Sequence, residues 1–163
     1  MIKEITSRRS VRSYKSDPIS DEDILEIIKA GQFAPTGKNT RAWEFIVIKD
    51  LKTKEEIFDI VGQEYVKEAP VLIIPIINSE VSITPAQDLS LSSGYIFLQA
   101  ENLGLGTVWK NISPEQGEEI KKLLKVPQNY LIINLIPLGY PKEKPQAHTE
   151  KDFNQEKIHF EKW

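Results

Sequence analysis

The chain has 163 residues, 40% of them hydrophobic and 28% charged, with a net charge of −3 and a pI of about 5.5; this fits one domain with a buried core and leaves no global field to draw it to nucleic acid or anionic lipid. It contains no cysteine and only two histidines, His148 and His159, which excludes disulfides, thiolate chemistry, cysteine-held zinc or iron–sulfur centres and a histidine-rich metal site. The N-terminal MIKEITSRRS lacks the apolar run of a signal peptide, and VLIIPII and YLIINLIPL are too short to span a bilayer, so an intracellular, cytoplasmic protein is expected.

In chain order, residues 2–8 read as a short helix ending at an arginine cluster, followed by a loop, SDPIS, at 16–20. Ser20 and Asp23 resemble a capping box with Asp in place of Glu or Gln; the helix they open carries Ile24, Leu25, Ile27 and Ile28 to about Phe33, where Pro35 and Gly37 break it. WEFIVIKD (43–50) reads as a buried strand. Thr53 and Glu56 form a T-x-x-E box opening a helix to about Val61. APVLIIPII (69–77) is a second buried strand, whose Pro75 cannot donate to a ladder and implies an edge or a bulge.

Residues 85–103 read as a helix with Pro85 in its first turn and two charges only, Asp88 and Glu101, about 19 Å apart at 1.5 Å per residue. So little charge implies burial on most sides, and Ser90, Ser92, Ser93, Gly94 and Ala100 permit close approach by another helix. Gly104 is the expected stop. Ser113-Pro114-Glu115-Gln116 is a capping box with proline at the first position, opening a helix to about Lys125. YLIINLIPLGY (130–140) reads as a third long buried strand. The charged remainder, 141–163, ends in the alternating KIHFEKW and is expected to be tied down. The order of elements predicts an α+β or α/β sandwich around a small sheet.

Three stretches carry candidate chemistry. SRRSVRSY (7–14) gathers Arg8, Arg9, Ser10 and Arg12; guanidinium forks suit phosphate oxygens, the alternative being a solvated basic patch. APTGKNTRAWEF (34–45) offers Thr36 and Asn39 on a shaped turn, suited to a planar heterocycle with alternating donors and acceptors, or else a plain helix stop. ENLGLGTVWKN (101–111) has two glycines that admit close backbone approach or simply tight packing; it is not G-x-G-x-x-G, because position 109 is Trp. There is no P-loop, no Ser/His/Asp triad, and Asp88 and Glu101 are too far apart to work as a carboxylate pair. An enzyme built from this chain therefore needs a cofactor for its reactivity.

Together these stretches resemble the FMN-dependent nitroreductase family. RRSVRSY is similar to that family's R-R-S-x-R-x-[FY] motif, APTGKNTRAWEFIVI to its A-P-S-x-x-N-x-Q-P-W-x-F-x-V loop and strand, DLSLSSGYIFLQAENLGLGTVW to its central helix with L-G-L-G-[ST]-x-W, and IPLGYPKEKP to its last strand and L-G-Y-P. The resemblance implies an α+β fold, a three-layer α/β/α sandwich with a central, mostly antiparallel sheet, in an intertwined homodimer. Residues 1–163 would form one FMN-binding domain, with 141–163 as an arm on the partner subunit. It implies that Arg8, Arg9, Ser10 and Arg12 hold the FMN phosphate and the pyrimidine side of the ring. Pro35, Thr36 and Asn39 would reach the same flavin from the other subunit, and the backbone near Val108, Trp109, Lys110 and Asn111 would pass its N5. His148 or Lys151 would supply a further cation from the tail. Thr36 stands where the family has Ser, and Arg41 and Ala42 where it often has Gln and Pro, so Arg41 is expected to alter contacts near the ring or substrate. The short segment 78–84 marks a compact member with a more open substrate side.

The function implied is ping-pong transfer of hydride from NADH or NADPH to FMN and on to nitroaromatics, quinones or similar electron-poor acceptors, with no catalytic side chain of its own. The competing readings are a flavin-binding module for storage or redox sensing and a nucleic-acid binder using the arginines, which the overall charge disfavours.

Overall fold

The structure, a computed structural model, describes residues 1–163. Its helices are α1 (Lys3–Ser7), α2 (Asp21–Gln32), α3 (Leu51–Val61), α4 (Glu64–Glu68), α5 (Pro85–Asn102) and α6 (Pro114–Leu124); its strands are β1 (Trp43–Ile48), β2 (Val71–Asn78), β3 (Gly106–Thr107), β4 (Lys110–Asn111), β5 (Tyr130–Leu131) and β6 (Asn134–Gly139). Ser113 and Gln116 cap α6 reciprocally. Ser20 caps α2 through the Asp23 N–H, 3.0 Å away, with no return bond from Asp23. The start of α3 differs from the expectation. Asp50, not Thr53, is its N-cap, accepting from both the N–H and the hydroxyl of Thr53 at 2.8 Å. A carboxylate three residues upstream takes the orphan donor that a Thr53 cap would have left to Glu56.

Strand order is β1-β2-β6-β3, with β5 also on β2 and β4 also on β6, and every ladder is antiparallel. One strand expectation is corrected, and for Pro75 the choice between an edge and a bulge is decided. Residues 130–140 do not form one strand: Ile132 and Ile133 separate β5 from β6, and the Ile133 carbonyl accepts instead from Ile112. Pro75 is not on an edge, since β2 runs between β1 and β6. It lies between two ladders of different register, Ile73 facing Ile136 and Ile77 facing Leu131, where a continuous register would set Ile77 opposite Ile132. The one-residue slip is the bulge-like site a proline requires.

Helices cover both faces of the sheet. Leu72, Ile74 and Ile76 of β2 face a cluster with Ile57 and Val61 of α3, Val66 of α4 and Ile120 of α6. Val71 and Ile73 face Ile24 and Ile27 of α2 and Ile96 and Ala100 of α5. A strand covered on both sides must be apolar throughout, which is why VLIIPII shows no alternation. Gly31 lets α2 lie against α5, since a Cβ there would sit 2.9 Å from Ile96. The other side of α5 is less covered than its low charge suggested. Leu91 and Tyr95 are 45% and 42% exposed, and nothing lies within 4 Å of where a Gly94 Cβ would be. The tail carries single 3-10 turns at Glu150–Asp152 and Gln155–Lys157, and Phe153, Phe160 and Trp163 are exposed. It is tied at its near end: the Lys142 N–H donates to the Ser13 carbonyl at 3.0 Å, the Arg9 guanidinium to the Gln146 carbonyl at 2.7 Å and the His148 N–H to the Thr6 carbonyl at 2.8 Å.

Candidate functional site

The arginine segment leaves α1 at Arg8 and lies flat on the sheet end. Ser10 bridges Thr107 of β3, and the Val11 N–H donates to the Thr107 carbonyl at 2.9 Å. Two glycines make this possible. A Cβ at Gly106 would sit 2.6 Å from the Val11 side chain, and one at Gly139 would sit 2.9 Å from the Tyr14 ring. Tyr14, 3% exposed, donates its hydroxyl to the Val11 carbonyl at 2.6 Å, with the Pro137 carbonyl at 3.3 Å. Burial, and then Tyr65, push its phenol far above the ordinary range, with Arg12 opposing, so the proton needed for that bond stays in place. The arginine motif, the second glycine of LGLG and the glycine of LGYP thus form one cradle.

A cavity of about 380 Å³ lies between Ser10, Arg12, Ser13 and the tail residues Glu143 and Lys144. A smaller one, about 70 Å³, is bounded by Arg9, Gly104, Gly106, Glu101 and again Lys144. Arg8, Arg12 and Lys144 make no ion pair within the chain. The Arg9 guanidinium donates to the Gln146 carbonyl at 2.7 Å, holding the tail. Lys144 is a cation sequence reading passed over. The two tail residues it named lie elsewhere: His148 faces α1 across a separate cavity of about 630 Å³ and sits 3.6 Å from Asp152, while Lys151 is exposed and lines neither arginine cavity. The Asp152 carboxyl is held below its ordinary value by the Thr149 N–H first and by His148 to a lesser degree.

The strip 108–111 crosses from β3 to β4. Val108 is buried, and Trp109 meets Phe97 edge to face at 6.5 Å. Lys110 donates to the Asn111 carbonyl at 2.8 Å, and partial burial lowers the pKa of its amine. Asn111 pairs with Asn134, whose buried amide donates to Ser93 of α5 at 3.1 Å.

The third set, Pro35, Thr36, Asn39 and Arg41, sits on a turn of unusual backbone. Lys38, Asn39 and Arg41 have φ of 52°, 55° and 49°, left-handed values that cost roughly 1–2 kcal/mol for a residue with a Cβ. Local bonds hold them: the Thr36 hydroxyl accepts from the Arg41 N–H at 3.1 Å, and Arg41 Nε donates to the Asn39 side-chain oxygen at 2.9 Å. The Gly37 N–H donates to Asp88 of α5 at 3.1 Å.

These sets are not gathered in one place within one chain. The turn is fastened to α5 at Asp88, and the arginine cradle meets the helix's other end near Glu101, about 20 Å away along the axis at 1.5 Å per residue. No group of three or more His, Cys, Asp or Glu is placed to hold a metal, and no helix is long and apolar enough to cross a membrane.

Comparison with known proteins agrees with the motifs. A sequence model described as the Nitroreductase family matches residues 5–72. An Archaeoglobus fulgidus protein, provisionally named NADH dehydrogenase/NAD(P)H nitroreductase, is 37% identical over 99% of this chain and 98% of its own. The FMN reductase [NAD(P)H] of Bacillus subtilis is 27% identical over 97% of this chain and 76% of its own. Among solved structures, the FMN-dependent nitroreductase of Clostridium difficile R20291 superposes with a TM-score of 0.94 at 32% identity, each chain covered completely.

Proposed function

Because the chain belongs to the nitroreductase family, we propose that two copies of it form an FMN-dependent NAD(P)H oxidoreductase with each cofactor at the seam between them. The observation that carries this is the separation of the candidate residues to opposite ends of α5, with Leu91, Gly94 and Tyr95 uncovered in between. With the two-fold axis perpendicular to α5 the two copies of the helix run antiparallel, which brings the turn at 35–41 of one chain towards the arginine cradle of the other. Neither end is a complete site without the partner.

The residues present fit an FMN. Ser10, Arg12 and Lys144 offer donors free of ion pairs around one cavity, against the single carboxylate of Glu143, and charge-assisted bonds to phosphate are worth roughly 1.5–3 kcal/mol each. When bound, FMN accepts hydride from NADH or NADPH and passes the electrons to an electron-poor acceptor such as a nitroaromatic or a quinone. The chain's own work is to bind and orient. Arg8, Arg9, Ser10 and Arg12 anchor the anionic end. The backbone of Val108–Asn111, its path fixed by β6 and by the Asn134–Ser93 bond, would help to hold the ring. Pro35, Thr36, Asn39 and Arg41 close the site from the partner. No acid–base side chain is placed to move a proton, so rate enhancement rests on positioning and electrostatics.

The test is to purify the protein with FMN, determine its mass in solution, and mix it anaerobically with NADH or NADPH. A yellow dimer whose visible flavin band bleaches is the expected result. A colourless monomer that takes up no FMN overturns the reading; bleaching by dithionite but by neither nucleotide would leave a redox-sensing module instead.

A further inference from the structure

Asp88 is 2% exposed, an unusual place for a carboxyl, and every donor around it belongs to one of two loops. Its Oδ1 accepts from the Gly37 N–H at 3.1 Å and from the Thr84 hydroxyl at 3.0 Å, and its Oδ2 accepts from the Ser82 hydroxyl at 2.7 Å. Ser82 in turn accepts from the Thr84 N–H at 3.2 Å. The contact is close as well as polar: a Cβ on Gly37 would lie 2.4 Å from Thr84 Oγ1 and 2.7 Å from Ile83. The turn that carries Pro35, Thr36, Asn39 and Arg41 is thereby fastened to the 82–84 loop and to the first turns of α5. Its left-handed residues 38, 39 and 41 follow directly, and such conformations persist only where the surroundings over-determine them.

We propose that Asp88 is a positioning residue for the cofactor: its buried carboxyl, by accepting from the Gly37 N–H, presets the 36–41 turn in the conformation that meets the partner subunit's FMN. This rests on the two-chain site proposed above. Ser82 and Thr84 hold the carboxyl through their hydroxyls, and of the three side chains only that of Asp88 hydrogen-bonds the turn.

The experiment compares FMN dissociation constants and melting temperatures of the dimer carrying Asp88→Ala, Asp88→Asn, Ser82→Ala or Thr84→Val. All four are expected to melt below the wild type. FMN binding is expected to weaken about tenfold or more in Asp88→Ala, where the Gly37 N–H loses its acceptor. It stays within about threefold of wild type in Asp88→Asn, which keeps a carbonyl oxygen for that donor, and in the Ser82 and Thr84 variants. FMN affinity that tracks melting temperature across all four, or is unchanged in Asp88→Ala, overturns the proposal. If Asp88→Ala does not fold, amide exchange decides: Gly37 should be protected in wild-type dimer stripped of FMN, and protection that appears only on adding FMN refutes presetting by Asp88. A wild type that binds no FMN at all is a different result, which removes the two-chain site itself and this role with it.

Discussion

The two ends of α5 reach order by different means. At its C-terminal end the arginine segment is laid onto the sheet by backbone hydrogen bonds and apolar contact: the Val11 N–H donates to the Thr107 carbonyl, Val11 fills the space over Gly106, the Tyr14 ring fills the space over Gly139, and the buried Tyr14 hydroxyl donates to the Val11 carbonyl. At its N-terminal end the turn 36–41 is half exposed, left-handed at three residues, and held by two hydrogen bonds within the turn and one from the Gly37 N–H to the Asp88 carboxyl. Both arrangements leave no room for added volume, and in each a buried polar group would be stranded by loss of its partner: the Val11 carbonyl at one end, the Gly37 N–H at the other. A site assembled from one of each gains a firm anchor for a charged group and a hydrogen-bonding wall that responds to its neighbours.

The sharpest way to break the comparison is to keep the two ends apart. Leu91→Glu with Tyr95→Glu places carboxylates on the uncovered stripe without touching either end; we expect a folded monomer by ultracentrifugation that has lost its FMN by visible spectroscopy. A monomer that stays yellow would mean that one end suffices. Next in size, Gly106→Ala should cost about 1–3 kcal/mol in chemical unfolding, because the added methyl overlaps Val11. Adding Val11→Ala should restore most of the loss and of the FMN affinity; no rescue would disprove packing as the cause. Tyr14→Phe keeps the ring and strands the Val11 carbonyl, for an expected loss of about 1–2 kcal/mol by the same measurement. The smallest effect lies away from both ends. The Asp50 carboxyl is held below its ordinary 3.8, chiefly by the Thr53 N–H and then by the Thr53 hydroxyl. Its stabilisation is therefore present above that value and lost as pH falls through the folded one. Melting curves of Asp50→Ala and wild type should differ at neutral pH and converge in acid; a gap that persists in acid would show the cap is not electrostatic.

Much of this was legible in the residues. The capping box Ser113/Gln116, the stop at Gly104 and the length of α5 follow from local rules that act within a few residues. The arginine motif by itself suited either an anion site or a solvated basic patch, and only its resemblance to a family motif favoured the first. What escaped was whatever depends on chain segments far apart in sequence. Asp88 read as one of two charges on a quiet helix, since the partner that ties it to the 36–41 turn, the Gly37 N–H, lies 51 residues away, although Ser82 and Thr84 are near it in the chain. Lys144 was passed over for His148 and Lys151 because the path of the tail, set by Arg9 and Gln146, has no local signature. YLIINLIPLGY is apolar enough for one strand, and only its neighbours split it at Ile132–Ile133.

Pro75 gives the sheet a form of proofreading. Strands as uniformly aliphatic as β2, with leucine, isoleucine and valine on both faces, carry almost no information about which residue should sit opposite which, and such strands zip readily in shifted alignments. A residue without an N–H, placed where the alignment must change by one, stops a pairing that starts at β6 from running on into β5. An isoleucine there would complete the hydrophobic run and remove the stop, and misaligned, aggregating chains would be the result of that apparent improvement.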